Sequence, residues 1–381
     1  MLLSPRYGSE SLADVVPSVL SCIGLDGETD RLGLRLEGTR RVCVLMIDGL
    51  GADQLAEHPE DAPFLTRHLR SVITAGFPST TATSLSSLGT GVPPGQHGIV
   101  GYQVALPGQD LLMNTLQWKL HGSASDSEPL PELTPETFQP SPTAFERAAT
   151  AGIAVTHVGP SMQNGSGLTR ASLRGGVFRA SVSPGDLAAE AVSALAEAGP
   201  ALVYAYHGDL DLVGHVRGPR SLAWRLQLRH VDLLAESIAA QLPGDGALVV
   251  VADHGMVQVG NRVDYDSIAD LREGVRLLGG EPRMRYLYTR AGAVDDVQRA
   301  WQNTLGNRFT VVTRDDAVAR GWFGPTVSSD AYSRIGDLLA LANDTSAVVR
   351  SQAETTASML RGHHGSLTSA ELSVPLVVAR P

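Results

Sequence analysis

The chain has 381 residues, 43% hydrophobic and 18% charged, with 40 acidic against 30 basic side chains and a formal net charge of -10. Apolar residues recur in short runs along the whole length, which excludes bulk disorder; the acidic balance excludes a general nucleic-acid or anionic-membrane binder, since either needs a basic face. A length beyond the usual single-core size predicts one large α/β domain over 1–381 with a smaller inserted region.

The N-terminal stretch MLLSPRYGSESLADVVPSVL lacks a basic segment followed by a long apolar core, so it does not read as a secretory signal. No segment approaches the roughly 20 apolar residues of a membrane span. Of the two cysteines, Cys22 and Cys43, the second lies in an apolar strand-like run, where a buried free thiol is the commoner state. The expectation is a cytoplasmic protein with no membrane partner; nothing in the sequence sets its oligomeric state.

Taken in order, the clearest predicted strands are RVCVLMID (41–48), GIAVTHVG (152–159), ALVYAYHG (201–208), ALVVVAD (247–253) and LSVPLVVA (372–379), continuous apolar runs that suit strands buried on both faces. PTAFERAATAG, GDLAAEAVSALAEAG and SLAWRLQLRHVDLLAESIAAQL space their apolar residues as helices do. The alternation predicts a mostly parallel central sheet flanked by helices, with ligands expected at the carboxyl edge of the strands. Asp48, Asp211 and Asp253 fall at or just past such edges. Residues 101–140, rich in Pro, Gly, Ser and acids, read as an irregular surface excursion. Residues 264–349, with strand-like RMRYLYTR, helix-like VDDVQRAWQNTLG and strand-like FTVVT, read as a small α/β insertion.

Five segments carry chemistry. In LMIDGLGADQL a strand ends at Asp48 beside Gly49 and Gly51, a place suited to a metal ligand as well as to a plain turn. In GFPSTTATSLSSLGTGVPPGQHGIVGY a hydroxyl-rich run turns helical. A hydroxyl at a helix start, Thr81 or Thr80, meets backbone N–H groups and the positive dipole end, which favour an anion; a simple N-cap is the alternative there. In YHGDLDLVGHVRGP, which also holds Asp209, Asp211 and His215 are four apart and share a helical face, able to chelate one ion. In VVVADHGM, Asp253 and His254 end the most apolar strand, where burial without partners would cost several kcal/mol. RGHHGSLTSAELSVPLVV adds His363 and His364. Together these residues divide into two sites of mixed oxygen and nitrogen ligands, as zinc accepts and as manganese or iron also accept. Bound cations would also supply the positive charge that an anionic phosphate needs on an acidic protein.

In this order the segments resemble the alkaline phosphatase superfamily, and within it the type I phosphodiesterase/nucleotide pyrophosphatase family. The matching pieces are the Asp48 strand end, FPSTTATSLSSLGTGVPPGQHGI, DLVGHVRGP, VVADHGM and GHHGSLT, spanning nearly the whole chain. The resemblance implies a phosphoester hydrolase with two divalent metals, one on Asp211, His215 and His364 and the other on Asp48, Asp253 and His254. It places Thr81 at the nucleophile, bound through Oγ to the second ion, with Thr80 as the fallback and His363 as a neighbour.

A threonine hydroxyl is too weakly acidic to attack at neutral pH unaided, and a zinc ion beside it stabilises the alkoxide as it does bound hydroxide. The family's diesterases usually offer an Asn shortly after the HGI segment to hold a phosphoryl oxygen. Here that place falls on Tyr102, with Asn114 as a substitute donor. The leading reading is a phosphodiesterase or nucleotide pyrophosphatase acting on a small organic phosphate. The alternatives are a phosphomonoesterase or phosphonate hydrolase on the same scaffold and a non-catalytic nucleotide-binding module. FPSTTATS lacks the C/S-x-P-x-R context of a sulfatase, and the threonine does not match the serine nucleophile of a cofactor-independent phosphoglycerate mutase.

Overall fold

The computed structural model describes residues 2–106, 108–121 and 133–381. Its central sheet has seven strands: β1 (Arg41–Ile47), β2 (Leu69–Thr74), β3 (Ala154–Pro160), β4 (Val177–Ser181), β5 (Ala201–His207), β6 (Gly246–Val251) and β7 (Ser373–Ala379). Their spatial order is β2-β7-β6-β1-β5-β3-β4. β1 pairs in parallel with β5 and β6, and β3 with β5 and β4, while β7 runs antiparallel to both of its neighbours. The mostly parallel sheet is therefore present, with one reversed strand.

Every residue from Val42 to Ile47 and from Ala247 to Val251 is fully buried, as continuous apolar runs between two helical layers require. β2 and β4, which no apolar run announces, are the two edges of the sheet, and most of their residues are exposed or half-buried. The helices that matter for the site are α1 (Thr81–Thr90), α2 (Ala144–Thr150), α3 (Pro184–Leu195), α4 (Asp209–Arg217) and α5 (Leu222–Ala239). Hydroxyl caps start three of them: Thr143 accepts from Glu146 N in a reciprocal capping box, Ser183 from Asp186 N, and Ser221 from Trp224 N. α1 is buried at every position despite its Ser/Thr content. Ser86, Ser87 and Thr90 offset part of the burial cost by returning their hydroxyls to the carbonyls of Ala82, Thr83 and Ser86, while the hydroxyls of Thr83 and Ser84 are buried without a partner. Cys43 is buried and free, its thiol pushed up to about 12 by burial, and Cys22 is also free.

Within 264–349, four antiparallel strands follow the order Val275–Glu281, Met284–Thr289, Leu338–Ala342, Phe309–Thr313. Helix Val294–Leu305 packs Val297, Trp301 and Leu305 onto this sheet in a second apolar cluster with Leu271, Phe309 and Leu338. A buried ion pair ties the sheet to the last segment: Arg283 Nε and one terminal nitrogen reach the two oxygens of Glu371 at 2.6 and 2.8 Å. Glu371 in turn accepts the backbone N–H of Ser366 at 3.1 Å and the Thr368 hydroxyl.

The stretch expected to be irregular, 101–140, is only partly so. A three-stranded antiparallel sheet (Gln103–Ala105, Leu112–Asn114, Lys119–His121) lies in it, and a short helix (Pro135–Phe138) follows; residues 122–132 lie outside the described residues. Strands of three residues carry too few alternations to register as a pattern. Among the described residues no helix is long and apolar enough to cross a membrane.

Candidate active site

The sheet order explains how distant residues meet. β6, β1 and β5 are adjacent and parallel, in register with Ile47 opposite His207 and Met46 opposite Val251. The segments that follow them, bearing Asp253 and His254, Asp48, and α4, therefore emerge side by side at one carboxyl edge. β7 is antiparallel, so its start lies at that same edge, and the loop before it delivers His364 there. Ser373 of β7 pairs with Thr74 at the end of β2, and the chain continues from Thr74 into the turn that opens α1 at Thr81. Gly49 lets Asp48 and α4 approach: its φ is +77°, and a Cβ there would lie 2.9 Å from the Asp211 Cα.

Two groups of possible metal ligands result, Asp48, Asp253 and His254, and Asp211, His215 and His364. In the first, His254 Nε2 lies 3.5 Å from Asp48 Oδ1 and 3.4 Å from Asp253 Oδ2. In the second, His215 Nε2 lies 3.3 Å from Asp211 Oδ2 and His364 Nε2 lies 4.0 Å from Asp211 Oδ1. The groups are contiguous, with the rings of His254 and His364 stacked at 3.5 Å.

Both groups fit a cation. All three imidazoles place Nδ1 on a backbone carbonyl: His215 on Gly362 at 2.8 Å, His254 on Gly255 at 3.0 Å, His364 on Ser79 at 2.8 Å. With Nδ1–H donating, each Nε2 lone pair is turned toward the carboxylates, the arrangement that orients metal-binding histidines. Asp48 Oδ1, Asp211 Oδ1 and Asp253 Oδ2 are buried and accept no hydrogen bond. Orphaned buried carboxylate oxygens cost several kcal/mol each unless a cation meets them. The other oxygens are held: Asp48 Oδ2 accepts from the Tyr206 hydroxyl, and Asp253 Oδ1 from Gly49 N at 3.1 Å and His254 N at 3.0 Å.

Charge crowding has the same meaning. Burial, with Asp253 and Asp211 adding to it, pushes the Asp48 carboxyl well above the usual carboxylate range. At Asp211 burial raises the group, but His215, and then His254 and His364, outweigh it and hold it low. Burial, with His254 and His215 beside it, keeps His364 well below the ordinary imidazole value and so neutral. At His215 burial lowers the ring but Asp211 outweighs it, so a metal there competes with a proton.

Thr81 opens α1, and its Oγ1 lies 3.3 Å from His254 Nε2, beside the Asp48 group. Thr80 is the N-cap residue, and its hydroxyl bonds Glu281 instead. His363 belongs to neither group: its Nε2 meets the Ala357 carbonyl at 3.0 Å, and burial pushes it down to about 3. Asp209 is exposed at the start of α4. A third grouping of possible ligands, His58, Glu60 and Asp61, is already met by cations, since Asp61 accepts from Arg225 at 2.5 Å and Arg229 at 2.7 Å.

Two residues of the site went unread in the sequence. Tyr206 stands one residue before the end of β5, where it looks like core. Glu281 ends the first strand of the four-stranded antiparallel sheet: it is 6% exposed, its Oε2 lies 3.3 Å from His364 Nδ1, and its Oε1 is buried without a partner. Its GGEP context reads as a hairpin turn, so only the tertiary contact reveals it. Glu281 also lines a cavity of about 350 Å³ with Tyr102, Asn114, Lys119 and His121. Both anticipated substrate contacts thus lie along one cavity. Asn114 is 5% exposed, and its Oδ1 already accepts from Leu116 N and Gln117 N, which leaves its amide N–H groups as the donors it could offer.

The sequence profile of the type I phosphodiesterase / nucleotide pyrophosphatase family matches residues 42–367. The chain belongs to this family. It is accordingly a phosphoester hydrolase. None of the curated proteins matches it by sequence. Among solved structures it is similar to murine ectonucleotide pyrophosphatase / phosphodiesterase 5, at 20% identity and a TM-score of 0.68 over 89% of this chain and 88% of that one. An inactive Thr-to-Ala variant of the murine protein, in complex with AMP, is similar at 19% identity and a TM-score of 0.68 over 90% and 88%. Phosphonoacetate hydrolase from Sinorhizobium meliloti 1021, in complex with phosphonoacetate, follows at 18% identity and a TM-score of 0.65 over 90% and 91%. At these identities the structures show a shared fold, the alkaline-phosphatase-like α/β architecture.

Proposed function

We propose that the chain is a phosphodiesterase or pyrophosphatase for small organic phosphates, with Thr81 as nucleophile beside two divalent metal sites. The observation that carries this reading is the pair of contiguous Asp/His groups with orphaned carboxylate oxygens and Nε2 lone pairs facing one another, Thr81 Oγ1 among them. Asp211, His215 and His364 would hold one ion, and Asp48, Asp253 and His254 the other. Their mixed oxygen and nitrogen donors suit zinc, with manganese and iron as acceptable substitutes. Two such cations supply charge neutralisation for the phosphoryl oxygens and activation of a coordinated hydroxyl.

The chain's own groups do the rest. Thr81 Oγ attacks phosphorus in line, forming the Thr–O–P bond as the leaving-group oxygen departs, and water then cleaves that bond and regenerates the hydroxyl. The position of Thr81 at the first turn of α1 turns the positive helix end toward the phosphoryl group. Tyr206 fixes Asp48, and the carbonyls of Gly362, Gly255 and Ser79 fix the three imidazoles. Tyr102 and Asn114 are proposed as donors to the substrate. The insertion over 264–349 is proposed as part of the same catalytic domain, because Glu281 reaches the site from it.

A phosphomonoesterase or phosphonate hydrolase is the second reading, supported by the likeness to a phosphonate-cleaving enzyme. Turnover of bis-p-nitrophenyl phosphate above that of p-nitrophenyl phosphate is expected, and a strong monoester preference rules out the first reading. Thr81→Ala is expected to lower turnover by roughly three orders of magnitude or more while bound metal is retained. Intact hydrolysis in that variant would remove Thr81 from the mechanism.

A further inference from the structure

The two groups of candidate ligands differ in charge. Asp48, Asp253 and His254 offer two carboxylates, which together balance a divalent cation, whereas Asp211, His215 and His364 offer one. With both histidines neutral, an ion in the second group would keep a net positive charge in a buried place, at a cost unless another anion stands near. Glu281 stands there. Its Oε2 lies 3.3 Å from His364 Nδ1, while the other ring nitrogen, Nε2, faces Asp211 Oδ1 at 4.0 Å. The Nδ1 atoms of His215 and His254 are held by carbonyls, those of Gly362 and Gly255. His364 Nδ1 meets both a carbonyl, that of Ser79 at 2.8 Å, and a carboxylate.

The fold holds this carboxylate in place. Glu281 ends the strand Val275–Glu281 and pairs with Met284 across a tight hairpin. Gly280 before it has φ +75°, and a Cβ there would lie 2.2 Å from the Met284 carbonyl oxygen. Gly365, next to His364, has φ +128°, and a Cβ there would lie 2.6 Å from Glu281 Cγ, so glycine lets the two segments close on each other. The hairpin's two arginines are committed elsewhere, Arg283 to Glu371 and Arg285 to Glu354 and the Val348 carbonyl. The Thr80 hydroxyl donates to the Glu281 carboxylate, so one acid touches both a candidate ligand and the residue before Thr81. Its Oε1 is buried without a hydrogen-bond partner, which is costly for a carboxylate unless a cation is near.

We infer that Glu281 is a positioning residue for the ion on Asp211, His215 and His364: it orients the His364 ring through Nδ1 and supplies the second negative charge that this group lacks. The inference rests on the two-metal reading above. A carboxylate behind the ring makes the imidazole a stronger donor, and loss of such a partner costs roughly 10–100-fold in metal affinity. The Asp48 group, with two carboxylates of its own, is independent of Glu281.

The test is zinc uptake by the apo protein, titrated against a chromogenic chelator so that each equivalent is read without activity. The wild type is expected to bind two equivalents. In Glu281→Gln, which keeps the shape and removes the charge, one equivalent should weaken by roughly 10–100-fold while the other stays unchanged. His215→Ala, which disables the Asp211 group, should leave one equivalent, and adding Glu281→Gln to it should change nothing further. Thr80→Val, which removes the hydroxyl holding the carboxylate, should weaken the same equivalent by a smaller factor. Apo Glu281→Gln should melt no lower than the apo wild type, because the apo protein leaves that buried charge uncompensated. Unaltered uptake, equal weakening of both equivalents, a further loss in the His215→Ala background, or a lower apo midpoint overturns the inference. If the wild type binds two equivalents that Glu281→Gln leaves alike, only the role of Glu281 falls. Uptake of fewer than two equivalents by the wild type removes the two-metal reading and this inference with it.

Discussion

At the scale of single residues, the site is a set of groups that are costly alone and compatible together. Asp48, Asp211 and Asp253 each expose an orphaned oxygen to the same small volume, and the imidazoles that interleave them are locked in one tautomer by carbonyls. Away from the site, burial alone can shift a histidine. His157, packed between Phe145 and Tyr204 with Nε2 on the Gly175 carbonyl at 2.7 Å, is pushed down to about 4, burial being the main cause. Its ordinary value is about 6.5, so between the two the unfolded chain binds more protons than the folded one. The stabilisation is complete above about pH 6.5 and is lost as pH falls toward 4, amounting to roughly 3 kcal/mol. Denaturant midpoints measured from pH 4 to 7 should fall less steeply for His157→Gln than for the wild type. Parallel curves would show that His157 does not contribute.

At the scale of elements, the carboxyl edge of the sheet collects the candidate ligands, and Glu281 of the four-stranded antiparallel sheet reaches His364 among them. The link is the Arg283–Glu371 pair, which is fully buried and spans from the hairpin of the four-stranded sheet to the segment that follows His364. Removing one partner strands a buried charge, so Arg283→Met is expected to destabilise by about 3–5 kcal/mol. Adding Glu371→Gln should recover part of that loss, because a neutral amide oxygen still accepts the Ser366 N–H without carrying an unpaired charge. Equilibrium unfolding of the single and double variants gives the comparison; a double variant no more stable than Arg283→Met would mean that the pair's contribution is not electrostatic. The same coupling implies that Arg283→Met weakens metal retention, since Glu281 is only two residues away and faces His364.

At the scale of the whole molecule, the acidic chain concentrates buried negative charge at one edge, so on the proposed reading bound cations contribute to its stability as well as its chemistry. Chelation followed by dialysis is expected to lower the thermal midpoint by several degrees, and adding back zinc to restore it, because a ligand that binds only the folded state stabilises by mass action. An unchanged midpoint together with unchanged activity would remove metals from the account.

Much of this was legible in the sequence. The strand ends at Asp48 and Asp253, the i,i+4 spacing of Asp211 and His215, and the hydroxyls before α1 are local patterns, and buried parallel strands announce themselves as continuous apolar runs. The edge strands β2 and β4 were not legible, because a half-exposed strand has no such run, and neither was the small sheet over 103–121, whose strands are three residues long. Sequence by itself determined which residue types could hold metal ions and that Asp48 and Asp253 lie at strand ends. Only the tertiary structure decided which threonine, Thr81 rather than Thr80, stands beside His254, and that Glu281 faces His364. The reason is physical: a periodic pattern records which face of an element is buried, whereas a neighbour reached across a reversed strand or from a second sheet leaves no periodic trace.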